Sequence, residues 1–390
     1  MEPMNDHRKP LPHRHGRWIA AVCVFLVAAA LAGLTADRLL ARDGTYSYLR
    51  LFNEVLLLVR NSYVEKVEMG QVMHGAYDGL LGTLDPQTEY ISREQYAQLQ
   101  QGEPSAEVGI DLSRRGGYLY VVSVLPGSPA DDAGIRGGMR VRRIQGRSTR
   151  ELTLTDAELM LRGRAGDQVT LQRFPGGEEP EEITLTLRPV ELPMPRLERE
   201  GDAAILRVGS LVPGAAQAMR EALGGLASSD TLLVDLRGVS RGDYDEAVAA
   251  ASLFLGSSEV GAIRGRSGEE RALKTRRERG TANPARMAVL VDRGTAGPAE
   301  LLAQALRLRG ERELLGGRTF GRGTLQELIP LNDGGYLRLS VQRCLDAEGN
   351  AWDGSGLTPD HVLEQGEDSP SWIAQALEIL EAPVAERPAA

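Results

Sequence analysis

Apolar residues change their spacing several times along this chain, and each change marks a different element. From Trp18 to Ala36 nineteen residues run without a charge. As a helix rising about 1.5 Å per residue this segment reaches roughly 28 Å, the thickness of a hydrocarbon core. Leu49, Leu51, Phe52, Val55, Leu56 and Val59 then recur at helical spacing, so residues 45–103 read as an N-terminal helical region. Ser92-Arg-Glu-Gln95 has the form of a capping box and predicts a short helix through Leu99. Between 104 and 190 the pattern shortens to alternating runs, Leu119–Leu125, Gln168–Phe174 and Glu182–Arg188, which predict strands. A turn is expected at Gln145-Gly-Arg147, and Thr155-Asp-Ala-Glu158 reads as a second capping box opening a helix over Asp156–Leu161.

Pro189, Pro193 and Pro195 mark a linker. Over 196–365 strands and helices alternate. Strands are predicted at Ile205–Val208, Thr231–Leu236 and Met287–Val291, helices at 214–226, 244–255 and 299–308, and a charged hairpin around 260–285. Alternation of this kind predicts an α/β core. The final segment, 366–390, holds a short amphipathic helix at Trp372–Leu380 and a loose tail.

The basic residues Arg8, Lys9, Arg14 and Arg17 precede the long apolar run. By the positive-inside rule residues 1–17 form a cytoplasmic tail and 18–36 a single-pass inner-membrane anchor. Everything after about residue 37 is then extracytoplasmic, that is, periplasmic. A cleaved signal peptide ending near Ala32 or Ala36 is the alternative. A net charge of -9 argues against nucleic acid as the main partner. With Cys23 inside the apolar run, no disulfide to Cys344 is expected, and no Cys/His spacing suits a metal. Neither a cofactor nor a metal is implied.

Two segments carry the candidate chemistry, Val291-Asp-Arg-Gly-Thr-Ala-Gly-Pro-Ala-Glu-Leu-Leu302 and Gly317-Arg-Thr-Phe-Gly-Arg-Gly-Thr-Leu-Gln326. Together they resemble the catalytic core of the C-terminal processing peptidases, the S41 serine peptidases. The resemblance implies a serine nucleophile at position 297, a lysine base at 322 and a supporting glutamine at 326. This chain has Gly297, Arg322 and Gln326 there. Glycine offers no oxygen to attack a carbonyl carbon. Arginine keeps its proton at physiological pH and cannot act as the base. The chain has only three lysines, Lys9, Lys66 and Lys274, against forty-two arginines. Drift toward arginine therefore accounts for Arg322 alone and leaves Gly297 unexplained. A third departure follows Asp235-Leu-Arg237, where the family's Pro-Gly-Gly oxyanion loop becomes Gly238-Val-Ser-Arg-Gly242. Arg241 brings a long charged side chain to that loop beside Gly242, and Pro298 removes one more backbone N–H.

Other chemistry is thinly supplied. Thr295 is displaced by two positions, Ser240 is an isolated loop serine, Lys274 lies in a charged hairpin, and only His74 and His361 fall outside the N-terminal tail. The glycines from Gly316 to Gly323 lack the lysine and hydroxyl of a phosphate-binding loop. Glu300, Thr319, Phe320 and Gly356-Leu-Thr-Pro-Asp360 keep the family pattern.

Residues 104–190 resemble a circularly permuted bacterial PDZ domain, through Val108-Gly-Ile-Asp-Leu112 and Pro126-Gly-Ser-Pro-Ala-Asp-Asp-Ala-Gly-Ile-Arg-Gly-Gly-Met139. The resemblance implies capture of a peptide C-terminus by strand addition, with the carboxylate loop at Gly109, Ile110 and Asp111 and Leu112 lining the pocket. Asp111 introduces a negative charge near that loop. The expected fold is an α/β multidomain protein: an S41 peptidase-like core with an inserted β-rich PDZ domain, an N-terminal helical region and one transmembrane helix. The expected function is that of an inactive pseudopeptidase, with peptide C-termini, an active peptidase of the same family or a second copy as partners. The alternatives are an active S41 endopeptidase with an unconventional catalytic residue, and a purely structural envelope protein whose groove is closed.

Overall fold

The computed structural model describes residues 46–100, 105–174, 179–228, 230–277, 284–310, 312–363 and 371–382. The expected membrane segment, 18–36, lies outside them. Among the described residues no helix is long and apolar enough to cross a membrane. The chain divides after Gly75 into two compact units. In the first, a helix spans 46–62 and exposes Leu49, Leu51, Val55 and Leu58. A second helix, Met69–Leu81, crosses the division.

The second unit is organised by a six-stranded sheet in the order Arg196–Glu200, Ala203–Arg207, Thr231–Asp235, Arg286–Val291, Glu313–Gly316, His361–Val362. Only the first pairing is antiparallel. Successive residues point to opposite faces. Leu232 and Val234 pack with the helices Ala215–Leu223, Tyr244–Ser252 and Pro298–Gly310. Leu233 and Leu290 pack on the other face with Trp372, Ile373 and Leu377 of the helix Ser371–Glu381. Burial on both faces explains why Thr231–Asp235 and Arg286–Val291 read as nearly unbroken apolar runs.

A second sheet is built on the long strand Tyr336–Asp346, which pairs with Glu89–Ile91, Thr324–Pro330 and Glu259–Gly265. Glu89–Ile91 corrects the helical reading of its segment. Three residues are too few for any periodicity to register, and all three are buried by pairing with Tyr336–Arg338. Next to it the expected capping box forms: the Gln95 N–H donates to Ser92 Oγ at 3.2 Å and the Ser92 N–H to Gln95 Oε1 at 2.7 Å.

The β-rich module has its own core and a sheet in the order Ile110–Arg115, Tyr118–Val124, Arg140–Ile144, Gln168–Phe174, Glu181–Thr186. The left-handed pair Gln145 (φ 49) and Gly146 (φ 75) makes the expected turn. The module's helix runs from Leu154 to Met160, and its cap is not the one expected. Thr153 is the N-cap and Asp156 completes the box, two residues before Thr155–Glu158. Thr155 is fully buried and donates to Glu89 Oε1 at 2.7 Å instead. Arg338 reaches the same carboxylate at 2.8 Å, so the helix start is docked onto the second sheet. We expect Thr153→Ala to remove a cap worth about 1 kcal/mol, read as a lower midpoint of urea unfolding.

Candidate active site at the strand-to-helix junction

The strand Arg286–Val291 ends at a junction that the oxyanion-type loop holds in place. Asp292 Oδ1 accepts the N–H groups of Gly238 at 2.9 Å and Gly294 at 3.0 Å. The Ala296 N–H reaches the Val239 carbonyl at 2.9 Å. Thr295 is fully buried, with its hydroxyl 2.8 Å from the Leu236 carbonyl. It is a structural hydroxyl, bonded within the junction to Leu236 and Asp292. At Gly297 the backbone turns left-handed, with φ +61. A Cβ placed there meets nothing nearer than Arg322 Cδ at 3.8 Å. The space for a side chain survives, but a side chain there would carry about 1–2 kcal/mol of backbone strain. Pro298 then opens the helix, where its fixed φ suits the first turn.

Glu300 ties this junction to the segment bearing Arg322. Its fully buried carboxylate accepts from the Gly297 N–H at 2.9 Å, the Gly321 N–H at 2.8 Å, the Arg322 N–H at 2.8 Å and the Thr319 hydroxyl. Burial pushes its pKa up, and the four donors oppose that rise. The Gly297 N–H is thereby taken up and Pro298 has none, so two backbone donors beside the nucleophile position cannot face an oxyanion.

Arg322 is held by a partner from the β-rich module. Its Nη1 donates to Asp111 Oδ2 at 3.0 Å, and both side chains are 18% exposed. Burial alone would lower the Arg322 pKa, but the Asp111 charge and hydrogen bond raise it. Burial would likewise raise the pKa of Asp111; the Arg322 charge, the Ser240 hydroxyl and the Arg241 charge overcome this and hold it below the ordinary carboxylate range. Arg241 does not fill the oxyanion space as its position suggested. It turns to the same module and grips Glu107 in a fork, at 2.8 Å and 3.2 Å. Gly242, with φ 150, lies so close to Leu211 that a Cβ would sit 2.4 Å from its carbonyl oxygen. Ser240 is not isolated either: its hydroxyl is 2.6 Å from that of Ser123, and it is buried. Gln326 lies on the exposed strand Thr324–Pro330 and donates to Thr324 and to Ser340 Oγ at 3.1 Å.

The peptide-groove residues are placed as follows. Gly109, at φ +79, has Ser128 Cβ 2.2 Å from where its own Cβ would be, so only glycine fits. Ile110 and Leu112 are buried in the module's core at 8% and 3% exposure. A bulge follows Asp111 and turns its side chain outward to Arg322. The Val108 N–H is taken by the Leu161 carbonyl at 3.1 Å, and the Arg114 guanidinium reaches across to the Leu152 carbonyl. Two arginine–carboxylate contacts, Glu107–Arg241 and Asp111–Arg322, escaped the sequence reading because they join residues 134 and 211 positions apart. A signal did exist, in two carboxylates flanking Gly109 and two arginines replacing small or titratable family residues.

Other reactive groups are unsuited to attack. Burial pushes the Cys344 thiol up to about 12, so it carries no thiolate near neutrality. Lys274 is exposed and paired with Glu259 at 3.4 Å. His361 is buried with Nε2 3.6 Å from Glu313.

A parallel sheet feeding a left-handed junction, a glycine-rich segment facing it and a PDZ-like module packed over both define a serine peptidase fold of the C-terminal processing type. The sequence matches Peptidase family S41 over residues 202–363 and the PDZ domain over 98–172. It is 30% identical over 323 residues to the carboxyl-terminal-processing protease of Synechocystis sp., spanning 79% of this chain and 75% of that protein. It is 27% identical over 352 residues to the carboxy-terminal-processing protease of Bartonella bacilliformis, spanning 88% and 81%. The solved structure of the photosystem II D1 C-terminal processing protease superposes with a TM-score of 0.68 at 23% identity, over 86% of this chain and 98% of that one, which shows a common fold. This chain belongs to the carboxyl-terminal processing proteases of family S41.

Glu300→Gln places an amide NH2 among donors that already point inward, and we expect a loss of about 2–3 kcal/mol in chemical unfolding. For Asp111 the lowered folded pKa means that its contribution is present above the unfolded value and lost as pH falls through the folded one. The unfolding free-energy difference between the parent and Asp111→Asn should therefore stay constant from pH 8 to about 5 and shrink below about pH 4.

Proposed function

We propose that this protein is a catalytically silent member of its family that binds peptide C-termini or a partner protein instead of cutting them. In this reading residues 18–36 anchor it in the inner membrane and the residues after about 37 work in the periplasm. The reading is carried by one observation: the base position holds an arginine, ion-paired to Asp111, facing a residue with no side chain. The Ser240 and Ser123 hydroxyls are paired with each other, and the carboxylate beside Ser240 is the low-pKa Asp111, a poor proton acceptor. The exposed apolar side chains of helix 46–62 support a protein partner, either an active peptidase of the family or a second copy.

The test is turnover of a quenched peptide library ending in small apolar residues, with the full chain in detergent. No cleavage is expected from the parent. Gly297→Ser with Arg322→Lys should also stay silent, because Asp111 would keep a lysine at that position protonated. Adding Asp111→Asn removes that charge, and turnover is expected first in the triple variant. Cleavage by the parent that survives repurification would sink the proposal.

A further inference from the structure

A cleft of about 800 Å³ opens between the β-rich module and the segment bearing Arg322. Five arginines line it, Arg114, Arg115, Arg293, Arg318 and Arg322, against two carboxylates, Asp85 and Asp353. In a chain of net charge -9 this concentration of positive charge does not follow from overall composition. The two carboxylates offset only part of it. Asp85 accepts the N–H groups of Gln87 at 2.8 Å and Thr88 at 2.9 Å, and Asp353 accepts that of Gly323 at 3.0 Å. Two of the arginines are also engaged, Arg322 with Asp111 and Arg114 with the Leu152 carbonyl. The side chains of Arg115 and Arg318 are exposed and make no ion pair or hydrogen bond to another described residue. They come from opposite walls, Arg115 from the end of the strand Ile110–Arg115 and Arg318 from the segment leading to Arg322. Arg293 lies along one side, its guanidinium against Gly138, where a Cβ would be 2.5 Å from Nη1. Phe320, Val121 and Tyr120 add apolar surface between the charges.

We propose that this cleft binds an acidic peptide segment, with Arg115 and Arg318 as its guanidinium anchors. Guanidinium groups pair carboxylates through two parallel N–H···O bonds, and two such groups on facing walls select a chain carrying more than one carboxylate. The cleft volume suits a few residues of extended peptide. The site is separate from capture of a C-terminal carboxylate in the module's groove. It specifies the chemistry of the peptide or partner in the binding reading above, and does not depend on whether the bound peptide is cut.

The experiment measures fluorescence anisotropy of a labelled peptide containing several glutamates, and of its all-glutamine counterpart, with the full chain in detergent. Both peptides carry an amidated C-terminus, so groove capture of a carboxylate does not contribute. We expect the acidic peptide to bind at least about tenfold more tightly, and Arg115→Gln with Arg318→Gln to remove that preference. Affinity of the parent should also fall as salt rises. Equal binding of the two peptides, or an acidic preference unchanged in the double variant, would overturn the proposal. Displacement by inorganic phosphate at the concentrations where unlabelled peptide displaces would overturn it as well, since the cleft would then be a small-anion site. Mass spectrometry of the same peptide reads cleavage independently: a cut peptide sinks the silent reading and leaves the binding site standing.

Discussion

The site depends on one buried carboxylate. Glu300 sits in the first turn of the helix Pro298–Gly310 and gathers donors from both sides of the junction, Gly297 on its own side and Thr319, Gly321 and Arg322 on the other. Four hydrogen bonds to one buried carboxylate fix the distance between nucleophile and base positions through the backbone, whatever side chains those positions carry. The peptidase frame is thus set by backbone contacts, with glycine at 297 and arginine at 322. The backbone geometry never relied on a serine or a lysine. It relied on a glutamate that catalysis would not consume.

The two arginines that depart from the family pattern share a direction. Arg241 and Arg322 both leave the core and end on carboxylates of the β-rich module, Glu107 and Asp111, on either side of Gly109. The buried Ser123–Ser240 hydroxyl pair lies in the same contact. On the far side of the module, Glu89 and Arg338 fix the start of its helix, and Gln95 adds a bond to Asp156 at 2.7 Å. The module is thus fastened at its helix and at its carboxylate loop, the latter by the arginines at 241 and 322.

Much of this was legible locally. The alternation of buried strands and helices, the Ser92–Gln95 cap and the Gln145-Gly146 turn depend on residues a few positions apart, and spacing alone placed them. The Thr153 cap was misplaced because Thr155-Asp-Ala-Glu158 offers an equally good box two residues on. Only the tertiary demand of Glu89 for the Thr155 hydroxyl decides between them. The strands Glu89–Ile91 and Tyr336–Asp346 are partners in a ladder between segments far apart in the chain, and the three residues of the first carry too little pattern to declare it alone. In the site, the glycine at 297 and the arginine at 322 needed no structure to see. The destination of the two arginine side chains needed all of it, because nothing nearby in sequence marks which carboxylate each one meets.

Asp111 belongs to two places at once, the edge of the module's peptide groove and the vacant catalytic position. Its pair with Arg322 therefore makes those places one thermodynamic system. Displacement of the strand Ile110–Arg115 by a groove ligand must strip Arg322 of its counter-ion. An acidic group that took over Arg322 from the cleft side would in turn free the Asp111 carboxylate, with the strand still held in its ladder to Tyr118–Val124. By linkage, any two ligands that each broke this pair would favour one another by the same free energy, which makes the Asp111–Arg322 contact the point where groove and cleft would be coupled.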